Sequence, residues 1–102
     1  MKNLDQRNKI IEYSLKLNST NLSPLRSGNI SLRAKEDNKD GYLITPSGKK
    51  YESLKPEEIV FMSMDDEEEK NDSVNKPSSE WRFHRDIYLN KNEAQAIVHA
   101  HS

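Results

Sequence analysis

The sequence predicts an α/β chain, and three features of its hydrophobic pattern support that class. An amphipathic stripe with helical spacing comes first, over residues 5–17. Short alternating or β-branched stretches of strand length occupy the middle of the chain. A second helical segment follows them, and a last alternation of apolar residues comes after it. Helical and strand patterns therefore succeed each other along the chain, as is typical of an α/β protein.

The first half of the chain predicts one helix and a β-hairpin. In the helix at 5–17, Ile, Tyr and Leu recur among charged and amide side chains, and turn formers at 18–24 end it. Alternation of apolar and polar residues predicts a strand over 29–33 and a second short strand over 42–45. We expect these strands to form a hairpin with a loose polar loop over 35–41.

The third strand is predicted after a sharp turn and a short helical segment. The turn is Pro46-Ser47-Gly48, and residues 55–58 suit one turn of helix because proline stands near its start. The β-branched and aromatic run at 59–62 predicts the strand itself. The acidic stretch at 65–75 is interpreted as a solvated loop without a function of its own.

The last third of the chain predicts a helix and a fourth strand. The helix is expected over 77–89, with Ser78 as its N-cap and with Phe83 and Ile87 on one face. The apolar alternation over 94–102 then predicts a strand.

Composition and charge exclude several classes of protein. The 102 residues allow one domain at most, and a hydrophobic content of 32% is low for a self-sufficient core. We therefore expect a piece of a larger domain. A net charge of −1 provides no basic excess for nucleic acid or a membrane surface, and no apolar run is long enough to span a bilayer. With no signal-peptide pattern and no cysteine, the prediction is a cytoplasmic protein without disulfides.

Two histidines close to each other predict part of a metal site. Residues i and i+2 of a strand lie on the same face, so His99 and His101 would project together with Ile97. Zinc sites in enzymes commonly have three protein ligands and an open position, and two imidazoles supply part of that set. The third histidine of the chain, His84, is interpreted as a packed or capping residue of its helix.

Three polar turns could bind an anion or transfer a proton. Ser27-Gly28-Asn29 combines a permissive backbone with an amide side chain, and Thr45 to Gly48 could form an anion-binding nest. Ser78 and Ser79 precede a helix, where hydroxyl and amide donors bind phosphate, and Glu80 could act as a general acid or base. Plain turns and helix capping are the alternative interpretations.

Taken in this order, the segments resemble the class II aldolase and adducin family, and within it the fuculose-phosphate aldolase-like enzymes. The resemblance covers nearly the whole chain from residue 5 onward. The matching segments are Ser27–Arg33, Gly41–Gly48, Tyr51-x-x-Leu54 before Ile59-Val60, Pro77–His84 and Ala96–Ser102. The resemblance implies a three-layer α/β/α fold with a central, mostly antiparallel sheet, and residues 1–102 would be the N-terminal part of that single domain.

The resemblance also implies functional roles. Glu80 matches the acidic residue that exchanges a proton, and His99 and His101 match two of three zinc ligands. The implied reaction is the reversible aldol cleavage of a phosphorylated ketose, with Zn²⁺ or another divalent metal as cofactor, in a homotetramer. The positions that match the phosphate-binding residues are Asn29, Ser47, Gly48, Ser78 and Ser79.

Two departures from the family pattern affect these expectations. The family's third zinc histidine lies well downstream of the pair, so we expect the isolated 102-residue chain to be inactive. Arg26 stands where the fuculose-type pattern has a small hydroxyl residue, which leaves the sugar open. Related epimerase and dehydratase reactions use a similar scaffold, and the adducin branch is a non-catalytic binding domain. The presence of Glu80, His99 and His101 favours an enzyme.

Overall fold

The computed structural model describes residues 1–19, 28–65 and 75–99. These residues form two α-helices and four strands, as the hydrophobic pattern predicts. In chain order the elements are α1 (Leu4–Ser19), β1 (Asn29–Glu36), β2 (Lys39–Ile44), 3₁₀ turns at Tyr51–Ser53 and Pro56–Glu58, β3 (Val60–Ser63), α2 (Trp81–Asn90) and β4 (Ala96–His99). Most of the predicted acidic loop, and the predicted strand beyond His99, lie outside the described residues.

All four strands pair antiparallel in the order β3-β2-β1-β4. The strand that carries His99 therefore lies at the edge of the sheet, next to β1. In this register Asn29 is opposite His99, and Ser31 is opposite Ile97. Because the side chains alternate, His99 and Ile97 share one face with Asn29 and Ser31.

The helices cover opposite faces of the sheet, which confirms the three-layer arrangement. Helix α1 contributes to a core on one face and α2 to a core on the other. The α1 core contains Ile10, Leu17, Ile30, Ala34, Leu43, Tyr51, Leu54 and Ile59. The α2 core contains Tyr42, Ile44, Val60, Met62, Trp81, Tyr88 and Ile97. Neither described helix is long and apolar enough to cross a bilayer.

The hairpin of β1 and β2 is tighter than the predicted loop over 35–41. Only Asp37 and Asn38 form the turn, and both have positive φ angles, of 52° and 65°. Short polar side chains tolerate this conformation, which two-residue hairpin turns require. Gly41 lies within β2, where a Cβ would be 2.2 Å from the carbonyl oxygen of Met62. The glycine is therefore needed for the approach of β3 and not for the turn.

Helix α2 buries the face that carries His84 and Tyr88, and the apolar side chain of Phe83 lies outside it. Trp81, His84 and Tyr88 are buried, whereas Phe83 is 48% exposed and Ile87 is only partly buried. The buried face includes a histidine and a tyrosine, so a hydropathy scale underestimates how deeply this face is buried. Their polar atoms are hydrogen-bonded in the interior, which removes the penalty for burying them.

Arg33 secures the C-terminal end of α2 to the sheet. Its Nη2 donates to the carbonyl of Tyr88 at 3.0 Å, and its Nε donates to the carbonyl of Ala94 at 2.8 Å. Its guanidinium group also lies 4.8 Å from the centre of the Tyr88 ring. A cation at this position satisfies helix carbonyls that have no partner within the helix, so it holds α2 in place over the candidate site.

Candidate functional site

The turn after β2 and the segment before α2 pair with each other through main-chain hydrogen bonds. The N–H of Ser47 donates to the carbonyl of Lys76, and the N–H of Ser78 donates to the carbonyl of Thr45, both at 2.9 Å. Two segments that are distant in the sequence, and that the sequence predicts to bind phosphate, are therefore held side by side.

The serines in these segments differ in exposure and in hydrogen bonding. Ser47 and Ser79 are exposed, whereas Ser78 is buried and its Oγ accepts the N–H of Glu80 at 3.3 Å. The predicted N-cap was wrong: α2 begins at Trp81, with Glu80 in the N-cap position. Ser78 instead closes the turn that precedes the helix. A hydroxyl that accepts one bond keeps its own hydrogen for donation, so Ser78 remains a donor.

Thr45 connects both of these segments to the start of β1. Its Oγ1 accepts the N–H of Ile30 at 3.3 Å, and its N–H donates to the carbonyl of Ile30 at 3.0 Å. Asn29, the residue before Ile30, is thereby placed next to the turn that contains Gly48. The φ angle of Gly48 is 73°, a left-handed conformation that favours glycine. The linking role of Thr45 was not found from the sequence, because it depends on long-range pairing.

A buried chain of hydrogen bonds ends at the side chain of Asn29. The hydroxyls of Tyr88 and Ser31 are 2.7 Å apart, and Ser31 Oγ is 2.6 Å from Nδ1 of His84. Nε2 of His84 contacts Oδ1 of Asn29. His84 is packed in the interior, in agreement with its interpretation from the sequence. Its link to Asn29 was missed, since no local pattern relates a helix residue to a strand so far away.

Burial keeps both titratable members of this chain neutral. The pKa of His84 is lowered to about 4, chiefly by desolvation and also by the charge of His99, whereas the charge of Glu80 opposes the shift. Desolvation also raises the pKa of Tyr88 to about 12. Near neutral pH the interior therefore contains an uncharged imidazole and an uncharged phenol.

The lowered pKa of His84 predicts that acid destabilises the protein. The unfolded chain takes up a proton at His84 near pH 6.5 and the folded chain only near pH 4, so stability is lost as the pH falls through that window. We expect a loss of up to about 3 kcal/mol from this group. Urea unfolding at pH 7.5 and pH 4.5, with His84→Gln for comparison, measures it. An equal loss in His84→Gln would contradict the assignment.

Glu80 and His99 meet on the α2 side of the sheet. The carboxylate of Glu80 contacts Nδ1 of His99, and the two side chains are 30% and 32% exposed. The ring of Phe83 packs against that of His99 with a centroid distance of 5.0 Å. The residue predicted to exchange a proton is thus in contact with one of the predicted metal ligands, and both can be reached from solvent.

His99 suits the role of a metal ligand, although the described residues hold only part of the predicted site. His101 and Ser27 lie outside them, and within them no group of three or more His, Cys, Asp or Glu residues could hold a metal. A histidine that binds a metal commonly donates its other ring N–H to a carboxylate. The contact of the Glu80 carboxylate with Nδ1 places an acceptor beside that nitrogen, and Nε2 would then be the atom left to coordinate a metal.

Comparisons with known proteins agree with the resemblance. Residues 8–102 match the family described as the class II aldolase and adducin N-terminal domain. The chain is 42% identical over 94 residues to an L-fuculose phosphate aldolase of Haemophilus influenzae, covering 92% of this chain and 40% of that protein. It is 40% identical over 96 residues to a 5-methylthioribulose-1-phosphate/5-deoxyribulose-1-phosphate aldolase of Rhodospirillum rubrum, covering 94% of this chain and 40% of that protein.

A solved structure of similar fold is an L-fuculose 1-phosphate aldolase. The TM-score is 0.79 at 32% identity, and the match covers 96% of this chain and 44% of the other. The chain thus spans about 40% of the length of the curated relatives described above.

Proposed function

We propose, since this chain belongs to the class II aldolase and adducin family, that the protein is a metal-dependent aldolase acting on a ketose 1-phosphate. The contact between Glu80 and His99, beside the paired turns, is the observation that carries the proposal. The two curated relatives are named for a fuculose phosphate and for deoxygenated ribulose 1-phosphates, so sugar phosphates of this kind are the proposed substrates.

The proposed phosphate site consists of hydroxyl and amide donors at the N-terminal end of α2. The partial positive charge of a helix N-terminus favours an anion there, and the exposed Ser47 and Ser79 hydroxyls can donate to it. The complete proposed set is Asn29, Ser47, Gly48, Ser78 and Ser79. Its members come from two turns and one strand that hydrogen-bond through Thr45, and this supports a shared ligand.

Glu80 is the proposed proton carrier. When the C3–C4 bond of a ketose 1-phosphate breaks, the C4 hydroxyl gives up its proton to solvent or a base as C4 becomes the aldehyde carbon. The electron pair of the broken bond stays on C3, next to the carbonyl, and C3 needs a proton. A carboxyl group held next to the phosphate site can deliver this proton in cleavage and remove it in synthesis. Glu80 is the N-cap residue of α2, so the same turn positions the phosphate donors and the carboxyl group.

His99 and His101 are the proposed protein ligands of Zn²⁺ or another divalent metal. The metal, when bound, supplies a Lewis acid that stabilises negative charge on the carbonyl oxygen of the substrate. His99 is held by the pairing of β4 with β1 and by Glu80 at Nδ1, which limits the rotation of its ring. By resemblance to the family, we further propose a homotetramer in the cytoplasm.

Product analysis tests the proposed reaction. The complete gene product is incubated with L-fuculose 1-phosphate and, separately, with 5-deoxyribulose 1-phosphate. Cleavage between C3 and C4 yields dihydroxyacetone phosphate and an aldehyde, which coupled dehydrogenase assays and NMR detect. An epimerised or dehydrated sugar phosphate as the product would replace the aldolase proposal with the corresponding related reaction. No change in either substrate would contradict the proposal for these sugars.

Removal of the metal should abolish cleavage. We expect chelation to lower turnover by about a hundredfold or more, because the Lewis acid is worth several kcal/mol in the transition state. Zn²⁺ added back should restore activity, and circular dichroism should show that the fold persists throughout. Metal analysis of His99→Ala, with the exposed Glu57→Ala as control, shows whether His99 binds the ion. Full activity after verified metal removal would disprove metal dependence.

A further inference from the structure

The direction of each hydrogen bond behind Asn29 follows from the chemistry of its atoms. Oδ1 of Asn29 can only accept, so the contact with His84 requires a hydrogen on Nε2. A neutral imidazole carries one N–H, so Nδ1 has a lone pair and Ser31 must donate to it. Ser31 has then used its single hydrogen and accepts from the hydroxyl of Tyr88. The bonds therefore run from Tyr88 through Ser31 and His84 to Asn29.

With Oδ1 of Asn29 against Nε2 of His84, the NH₂ group of Asn29 lies on the other side of the amide. A flipped amide would require the opposite tautomer and the opposite order, with the NH₂ group donating to Nε2 and Nδ1–H donating to Ser31, and it would leave Oδ1 instead of the NH₂ group outside the chain. His84 is the side chain that bonds Asn29 within the described part of the chain, and Asn29 itself is buried. The NH₂ group is thus left to bind a group outside the hydrogen-bonded chain.

Hydrogen bonds connect the residue after Asn29 to the segments that carry the proposed phosphate donors. Ile30, which follows Asn29, exchanges two hydrogen bonds with Thr45, and Thr45 accepts the N–H of Ser78. We propose that Tyr88, Ser31 and His84 are positioning residues that present the Asn29 NH₂ group as a donor to the substrate phosphate. The inference rests on the proposed function, in which Asn29 binds that phosphate.

Two substitutions at His84 form a matched pair that tests the inference. A glutamine amide reaches about as far as Nε2 and can still donate to Asn29, whereas an asparagine amide reaches only about as far as Nδ1. We expect His84→Asn to weaken the binding of inorganic phosphate about tenfold, which is the effect of losing one charge-assisted hydrogen bond. We expect His84→Gln to weaken this binding less than about threefold. Isothermal titration calorimetry of the complete gene product measures both constants.

The double variant with Asn29→Ala distinguishes positioning from a separate effect on the fold. If His84 acts through Asn29, His84→Asn adds no further loss of phosphate affinity to Asn29→Ala. Additive losses, or an unchanged affinity in His84→Asn, would overturn the inference. If Asn29→Ala itself leaves phosphate affinity unchanged, the proposed phosphate role of Asn29 fails instead, and the two failures are thereby separated.

A spectroscopic measurement requires no substitution. The ¹⁵N chemical shifts of the His84 ring distinguish a hydrogen on Nε2 from one on Nδ1. We expect the Nε2–H form, with and without inorganic phosphate. The Nδ1–H form would reverse the bond to Ser31 and remove the donor to Asn29, and it would overturn the inference even if every variant failed to fold.

Discussion

Replacing Glu80 with glutamine should lower the kcat of ketose 1-phosphate cleavage by about 10²–10⁴-fold, the usual contribution of a positioned acid or base. Glutamine has nearly the shape of glutamate but cannot carry the proton that the reacting carbon needs. The hydrogen bond that the main-chain N–H of Glu80 donates to Oγ of Ser78 does not involve the Glu80 side chain and is retained. The Kd of inorganic phosphate should therefore change little, so that the loss appears in kcat and not in binding.

Two controls make the Glu80→Gln result specific. Glu57→Gln removes an exposed carboxylate from the 3₁₀ turn at Pro56–Glu58 and should leave kcat unchanged. Because Glu80 contacts His99, the metal content of Glu80→Gln must be measured as well. A loss of kcat with full metal content supports the proton-transfer role, and unchanged turnover disproves it. A loss that follows the metal content would make Glu80 a support of the metal ligand.

Trp81→Ala is expected to destabilise the protein by about 3–5 kcal/mol, the usual cost of removing a buried aromatic side chain. The side chain of Trp81 is 0% exposed and packs in the α2 core, so alanine leaves a cavity. The hydrogen bond from the Tyr42 hydroxyl to the carbonyl of Trp81, at 3.1 Å, survives because it involves the main chain. Such a loss is a large fraction of the free energy of unfolding of a typical folded domain, which is about 5–15 kcal/mol.

Phe83→Ala is the matched comparison for Trp81→Ala. Phe83 lies two residues further along α2, is 48% exposed and contacts the ring of His99. We expect Phe83→Ala to cost at most about 1 kcal/mol, within the range of partly exposed positions. Urea unfolding of the complete gene product, with midpoints and slopes compared, measures both values. Equal destabilisation by the two variants would contradict the burial of Trp81 and the exposure of Phe83.

Local pattern was sufficient to identify the helices and the strands. The positions expected to bind phosphate, to bind a metal and to transfer a proton came from local motifs together with the family resemblance, and they remain predictions. Alternation places residues two apart on the same face of a strand, so the shared face of Ile97 and His99 was predictable without a partner strand. Predictions from helix-capping and turn-forming residues were less reliable than predictions from hydrophobic periodicity. The sequence could not distinguish Ser78 as an N-cap from Ser78 as the residue that closes the preceding turn.

Long-range pairing was needed to assemble the site. The Thr45 bonds, the approach of β4 to β1 and the chain from Tyr88 to Asn29 join residues that no local rule relates. The buried face of α2 has the same origin, because a histidine and a tyrosine can be interior only when their partners are in place. Sequence pattern indicates which groups are present, whereas packing decides which of their atoms find hydrogen-bond partners in the interior and which, as we propose for the NH₂ group of Asn29, remain available to a ligand.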